Sequence, residues 1–367
     1  MNIYLLILFL FSHPLSLDDC IKLALEHNPS LIKAQEEIRK REAEFSLGIS
    51  EFLPQINTSM GYNRYSKRHL YYKEPEIHTT SFSLSQTIFD PSNYFTTLGK
   101  KKLKDASKES IVATRADVIL SVGEAFFELA KGKKFLEITN LALKKSEEEY
   151  KKVETMVELG SASKLELLRR EVDISEQRLE LAKAEKDKAI AEVRLCKEMG
   201  IEPVNIEIID EIIEPEPINL FLDILTEKAL RERPEIKAKR LEIAYYRDIH
   251  KSAYTNYLPS ISLTTNYGYE RNRFPFETSL WNENDSWSIG INLTFPLFTG
   301  LGRHQTVRYA QSDIYIKEQE LKEVRLNVIL DVKEAYLSII NTQKELELTE
   351  KNLDAAEENH KYVTESY

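Results

Sequence analysis

Only two cysteines, Cys20 and Cys196, occur in the 367 residues. Two cysteines make neither a disulfide framework nor a zinc site. Asp18 and Asp19, which precede Cys20, are not the small residues that a lipoprotein cleavage site needs. Glycines number only 11, which argues against a loop-rich fold. No proline stands between Pro91 and Pro203, so nothing in that stretch has to break a helix. The chain has no excess of basic charge; its net charge is -10 and its pI is near 5.5. No Lys/Arg cluster with interleaved aromatics offsets this, so no nucleic-acid partner is expected. Long apolar runs are also missing. The longest, Ile3 to Phe11, is too short to cross a bilayer as a helix. It suits the core of a secretory signal within residues 1–16, with a buried first helix as the other reading. Any crossing of a membrane would therefore have to be made by strands.

What the sequence does contain is a repeat. Ala24-Leu25-Glu26-His27-Asn28-Pro29-Ser30-Leu31 returns 205 positions later as Ala229-Leu230-Arg231-Glu232-Arg233-Pro234-Glu235-Ile236. The FLP at 52–54 returns at the same offset as the YLP at 257–259. Val122-Gly123-Glu124-Ala125-Phe126-Phe127 matches Val332-Lys333-Glu334-Ala335-Tyr336-Leu337. The first repeat is expected over 17–200: a helix, strands near 54–66 and 79–90, a long helix over 92–159 and a return helix over 163–199. The acidic, proline-bearing segment 201–223 reads as a linker with one short strand at Val204 to Ile208. The second repeat, 224–367, has a helix, strands near 259–270 and 285–298, and a long helix over 302–367. It ends before its own hairpin turn, because the counterpart of Gly160 would fall at position 370.

The long helices carry heptads. Val122, Leu129, Leu136, Leu143, Tyr150 and Val157 form one row, with Ala125, Gly132, Thr139, Ser146 and Val153 three residues after each of the first five. Large residues beside mostly small ones predict a close, left-handed coiled-coil seam. Leu159-Gly160-Ser161-Ala162-Ser163 reads as the turn, with Gly160 at a left-handed helix end and Ser163/Glu166 as a capping box. On the return helix the same pattern selects Leu165, Val172, Leu179, Lys186 and Val193, with Leu168, Ser175, Ala182, Ala189 and Cys196 beside them. In the second half it selects Val332, Ile339, Leu346 and Leu353, with Ala335, Thr342, Thr349, Ala356 and Val363. His360 is a polar interruption of that seam.

The strand candidates alternate. One face would carry Ile56, Met60 and Tyr62; then Phe82, Leu84 and Ile88; then Ile261, Leu263, Tyr267 and Tyr269; and last Trp287, Ile289, Ile291, Leu293 and Phe295. The other would carry Asn57 and Ser59; Ser83 and Ser85; Ser262, Thr264 and Asn266; and Ser288, Asn292 and Thr294. Period-two alternation over about ten residues is the mark of a transmembrane β-barrel strand. A soluble sheet with one wet face alternates too, but in a chain this rich in charge such a face should carry Lys and Glu. Here the polar face is almost wholly Ser, Thr, Asn and Gly, and charges sit around Lys67 to Glu76 and Glu270 to Asp285. The first set is thus expected to face lipid and the second a narrow lumen. Four strands cannot close a barrel in lipid without unpaired edges. Three chains would supply twelve strands, which predicts a homotrimer.

In this order the motifs LDDCIKLALEHNPSL, the two LP-led strands, VELGSASKLELL, KEMG and PLFTGLGR resemble the TolC-like outer-membrane efflux protein family over essentially the whole chain. The resemblance implies a mainly α fold with transmembrane β. Long coiled-coil hairpins form an α-barrel through the periplasm, below a trimeric twelve-stranded β-barrel in the outer membrane. It implies a passive exit duct for tripartite efflux or type I secretion, with no enzymatic activity and no cofactor or metal. Its partners would be a periplasmic adaptor and an inner-membrane transporter of RND, ABC or MFS type. The adaptor would meet the hairpin tip, here Leu159, Gly160, Ser161, Ala162 and Ser163 with Leu165 and Leu168 behind it. The family's frequent Asp after the tip glycine is not matched, and the helix that carries its acidic gate falls outside this sequence. The alternative from another class is a soluble coiled-coil scaffold with a small β-domain. An enzyme is disfavoured. His13, His27, His69, His78, His250, His304 and His360 form no metal-spaced pair, and Thr299-Gly300-Leu301-Gly302 lacks the Lys of a phosphate loop.

Overall fold

The computed structural model describes residues 14–65, 76–209, 221–271 and 285–365. Most of the expected leader, most of both charged strand-to-strand loops and half of the linker lie outside these residues. The helices are α1 Leu17–His27, α2 Pro29–Ser50, α3 Pro91–Glu158, α4 Lys164–Met199, α5 Leu222–Glu232, α6 Pro234–Thr255 and α7 Gly302–Glu365. The strands are β1 Gln55–Arg64, β2 Glu76–Phe89, β3 Ser260–Arg271 and β4 Asp285–Thr294. Where the repeat suggests one leading helix per half, there are two, broken at Pro29 and at Pro234. Each proline lacks the N–H that would continue the preceding helix, and the residue before it is held extended. Asn28 and Arg233 accordingly sit at ψ 124° and 129°.

Two compact units result: Met1–Glu36 with Ile111–Asn219, and Glu37–Ser110 with Leu220–Tyr367. In the first, α1 opens with a full capping box. The Ser16 hydroxyl accepts from the Asp19 N–H at 3.2 Å, and the Ser16 N–H donates to the Asp19 carboxylate at 3.3 Å. The bonds from Ser16 hold the Asp19 carboxyl below the usual carboxylate range. The core is built from Leu15, Cys20 and Leu23 with Val122, Phe126 and Leu129 of α3 and Leu195, Cys196 and Met199 of α4. Ile206 and Ile208 complete it, and Leu15 forms a parallel bridge with Ile208. Burial pushes the Cys20 thiol up to about 12, with Asp19 and Cys196 adding to the effect. Cys196 is likewise buried, and its thiol donates to the Val204 carbonyl at 3.6 Å.

The motifs at the two ends of the first repeat meet here. Asn28, buried in the corner between α1 and α2, donates from its amide to the Glu198 carbonyl at 2.7 Å and accepts from the Ser30 N–H at 2.8 Å. Gly200 closes α4 at φ 77°, and a Cβ there would stand 2.4 Å from the His27 carbonyl oxygen. Only glycine fits both the left-handed backbone and that approach.

In the second unit the four strands form one antiparallel sheet in chain order, β1-β2-β3-β4. β2 and β3 pair directly although two long helices separate them in sequence, so the two hairpins of the repeat lie side by side. β1 and β4 are the outer strands, each with one neighbour among the described residues. α6 packs on the first half of α7. Buried Ile236 and Ile243 lie on α6, and buried Ala310, Ile314 and Val328 on α7. The flanks are tied by Lys239–Glu320 at 3.0 Å, Arg247–Glu318 at 2.9 Å and Arg233–Asp331 at 3.0 Å. Lys317 and Lys239 keep the Glu320 carboxyl below its usual range. Gly99 of α3 lets α6 approach, since a Cβ there would meet the Tyr245 ring at 2.9 Å.

Candidate functional site: a two-faced sheet and a hairpin tip

The register decides which side chains share a face. Ile56 pairs with Leu84, Thr58 with Phe82, Phe82 with Tyr267 and Tyr267 with Trp287. Gln86 pairs with Leu263 and Leu263 with Ile291; Ile261 pairs with Leu293. Paired residues across an antiparallel ladder point the same way, so one face is mostly apolar across all four strands, interrupted by Thr58, Thr80, Gln86 and Thr265. On the opposite face Asn57, Ser83, Asn266 and Ser288 line up, as do Ser85 with Thr264 and Ser262 with Asn292. Ser59 pairs with Ser81, and Thr294 with Ser260.

The two faces differ in chemistry. The apolar row stands open: Trp287 is 74% exposed, Ile291 75% and Ile56 73%. Leu84, Ile261, Leu263 and Tyr267, on the two central strands, are partly covered by neighbours on both sides. Each fully exposed large side chain of this row would gain roughly 1.5–3 kcal/mol on leaving water. The polar face satisfies part of its own hydrogen bonding. Ser59 and Ser81 hydroxyls lie 2.7 Å apart, and the Asn292 amide donates to Thr264 Oγ1 at 3.1 Å. The polar face therefore suits contact with water, and the other suits hydrocarbon.

One position departs from simple alternation, which predicts Ile88 in the apolar row. A bulge between Thr87 and Phe89 brings Phe89 opposite Ile261 and leaves Ile88 as the extra residue, a β-bulge of the usual one-residue kind. Both remain exposed. Tyr269 and Phe295 differ in another way. The side chain of Tyr269 lies outside the described set, and Phe295 sits just past the end of β4, exposed.

In the first unit, α3 and α4 are joined by Leu159 to Ser163. Gly160 takes φ 72°. The Ser161 and Ala162 N–H groups both donate to the Met156 carbonyl, at 2.8 and 3.1 Å, which closes α3. Ser163 caps α4 by accepting from the Glu166 N–H at 3.2 Å. The reciprocal half of the expected capping box is replaced: the Glu166 carboxylate turns to Arg170 at 3.3 Å and to Arg169 at 3.7 Å. A guanidinium within reach outcompetes the backbone N–H for that carboxylate. Arg170 also holds Glu149 across the hairpin, at 3.3 Å. Leu159, Leu165 and Leu168 project outward and are exposed, Leu159 by 77%.

The heptad on α4 is resolved differently from the sequence expectation. The predicted row Leu165, Val172, Leu179, Lys186 and Val193 is exposed, and of the row beside it Leu168, Ser175, Ala182 and Ala189 are exposed while Cys196 is buried. The face turned inward instead carries Ile174, Leu181, Ala184, Lys188, Ala191 and Leu195, and Lys188 backs onto Gly132 of α3. α4 has two apolar stripes, and a periodicity count cannot tell which one its own hairpin uses. Among the described residues no group of His, Cys, Asp and Glu is arranged to hold a metal ion, and no helix is long and apolar enough to cross a membrane.

Comparison with known proteins bears on this geometry. The family model of the outer membrane efflux proteins matches residues 20–200 and 225–367. The chain belongs to the outer membrane efflux protein family. It is 24% identical over 331 residues to the outer membrane protein TolC of Vibrio cholerae, covering 87% of this chain and 73% of that protein. It is 24% identical over 334 residues to the protein CyaE of Bordetella pertussis, covering 89% of this chain and 69% of that protein. The crystal structure of the Campylobacter jejuni CmeC outer membrane channel superposes with a TM-score of 0.75 at 20% identity, over 85% of this chain and 68% of that one. As a member of the outer membrane efflux protein family the chain is a channel subunit of the outer membrane with its helical part in the periplasm, not an enzyme.

Proposed function

We propose that three copies of this chain pool their sheets into a closed twelve-stranded barrel, and that the assembly is the passive exit duct of a tripartite efflux or type I secretion system. The observation that carries this reading is the split of one continuous sheet into a mostly apolar face and a neutral polar face, bounded by outer strands β1 and β4 with one neighbour each among the described residues. Unpaired N–H and C=O groups in hydrocarbon cost several kcal/mol each, so β4 of one copy must find β1 of the next. The apolar row then faces lipid, and Ser, Thr and Asn line a lumen that imposes little selection. At the far end of the hairpin, exposed Leu159, Leu165 and Leu168 around the Gly160 turn offer apolar anchors to a periplasmic adaptor, below which an inner-membrane transporter supplies energy.

Bromine-labelled acyl chains test the lipid-facing row directly. In a Trp281→Phe background the emission of Trp287 should be strongly quenched in such proteoliposomes, and absence of quenching would reject the orientation. Ile291→Arg should abolish assembly in the outer membrane, because a cation on the lipid face costs about 2–4 kcal/mol per site near the midplane. Asn292→Asp on the opposite face should assemble normally. Leu159→Asp should leave the trimer intact and eliminate export, as read by accumulation of an exported dye or protein.

A further inference from the structure

Beside the strands, the second unit has a groove of about 620 Å³ lined by His250, Tyr254, Tyr257, His304, Arg308 and Gln311, among others. None of its lining residues is a carboxylate. That is unusual in a chain of net charge -10, and it contrasts with the same helix pair further from the strands. There each cation that bridges α6 and α7 is matched: Arg247 by Glu318, Lys239 by Glu320 and Arg233 by Asp331. Next to the strands no such bridging pair occurs among the described residues, and Lys251 pairs with Asp248 within α6. From Ser286 to Ser312 the sequence holds no Asp or Glu at all. Arg308 has no carboxylate partner among the described residues. Arg303 lies over the Tyr257 ring at 5.4 Å, and its buried Nη2 has no hydrogen-bond partner among the described residues.

The position of the groove narrows the choice of ligand. β4 ends at Thr294 and α7 begins at Gly302. Between them Leu297 and Phe298 are exposed, and Tyr254, Tyr257 and Leu258 are exposed at the end of α6. Aromatic and apolar side chains followed directly by unpaired cations mark the headgroup level of a bilayer. Side chains on a helix lean toward its N-terminus. On α7 that direction is toward its junction with β4, where Arg303 lies over the Tyr257 ring.

We propose that this groove binds the phosphodiester headgroup of a glycerophospholipid of the periplasmic leaflet, with Arg308 of its lining and Arg303, which lies over the ring of lining residue Tyr257, as its ligands and Tyr254 and Tyr257 flanking the glycerol. A guanidinium presents paired donors that match phosphate oxygens, so a phosphodiester would give Arg308 its anion and Arg303 Nη2 its acceptor. The proposal rests on the bilayer placement of the strands under the proposed function.

The test uses the full-length assembled protein, stripped of lipid in mild detergent and titrated with short-chain phosphatidylglycerol while bound lipid is counted by native mass spectrometry. Saturable binding is expected, weakened at least about tenfold in R303Q/R308Q and partly restored in R303K/R308K. Circular dichroism and outer-membrane fractionation of the variants should match the parent. Unchanged affinity in R303Q/R308Q would overturn the proposal. So would displacement by inorganic phosphate at concentrations comparable to the lipid, since the site would then be one for a free anion. A cross-link from Arg308→Cys to a neighbouring subunit would also overturn it, because a copy of the chain would then cover the groove. Failure of the parent to fractionate with the outer membrane would instead reject the earlier reading, so the two failures are distinguishable.

Discussion

The two long helices α3 and α7 come from the same place in the repeat and carry the same heptad, yet they end in different surroundings. In α3 the seam residues Val122 and Leu129 are fully buried, and Thr139 nearly so, because α4 folds back along them. In α7 the counterparts of Val122 and Leu129 are half-buried Val332 and exposed Ile339; Leu346 and Leu353, the counterparts of half-buried Leu136 and Leu143, are exposed, as is every residue from 341 to 362. The helices themselves form either way. Hydrogen bonds within the segment and good helix formers suffice to define a helix, while burial requires a second surface. A seven-residue period therefore states that a partner is wanted and leaves open which surface supplies it.

The contrast breaks most severely at Gly200, which seats the end of α4 against the corner between α1 and α2. Gly200→Ala should destabilise the first unit by roughly 3–5 kcal/mol, since a left-handed non-glycine residue is strained and the added carbon collides with the His27 carbonyl. Urea unfolding followed by circular dichroism measures this, and α3 should then become as accessible as α7. A direct comparison of the seams is the next largest effect. Leu129→Ala should cost roughly 2–5 kcal/mol as a buried leucine truncation. Leu346→Ala in the monomeric chain should cost less than about 0.5 kcal/mol, as for an exposed site. Equal losses at the two positions would mean that α7 is already covered. The smallest expected effect concerns Cys20 beside the α3 seam. With its thiol pushed up to about 12, it should resist iodoacetamide at pH 8 until urea opens the unit. Its folded value lies above the ordinary thiol value of 9.0. The contribution is therefore whole below pH 9 and declines as pH rises toward 12, because only the unfolded thiol ionises in that window.

Much of the molecule is legible in its residues. The mainly α architecture with a small sheet follows from the heptads, from the absence of proline between Pro91 and Pro203, and from alternating runs such as Trp287 to Leu293. The candidate lipid and lumen rows are readable because side-chain direction in a strand has a period of two. Legibility failed where local pattern admits two solutions. Ile88 is displaced by a bulge that one residue of extra length creates, and alternation has no term for it. On α4, Leu165, Val172 and Leu179 make a stripe as good as Ile174, Leu181 and Leu195. Glu166 satisfies the spacing of a capping box yet bonds to Arg170, which lies one turn further along its own helix. Asn28 stands in the sequence only as one residue of the repeated motif, whereas its amide ties the α1–α2 corner to the Glu198 carbonyl 170 positions away.

The sequence by itself determined the elements and the chemistry of each face, because backbone geometry converts spacing directly into which side chains travel together. The tertiary structure alone decided which of two apolar stripes α4 presents to α3, where β2 meets β3, and which arginines find a carboxylate. Those outcomes depend on segments brought together from distant parts of the chain, and no local period carries that information.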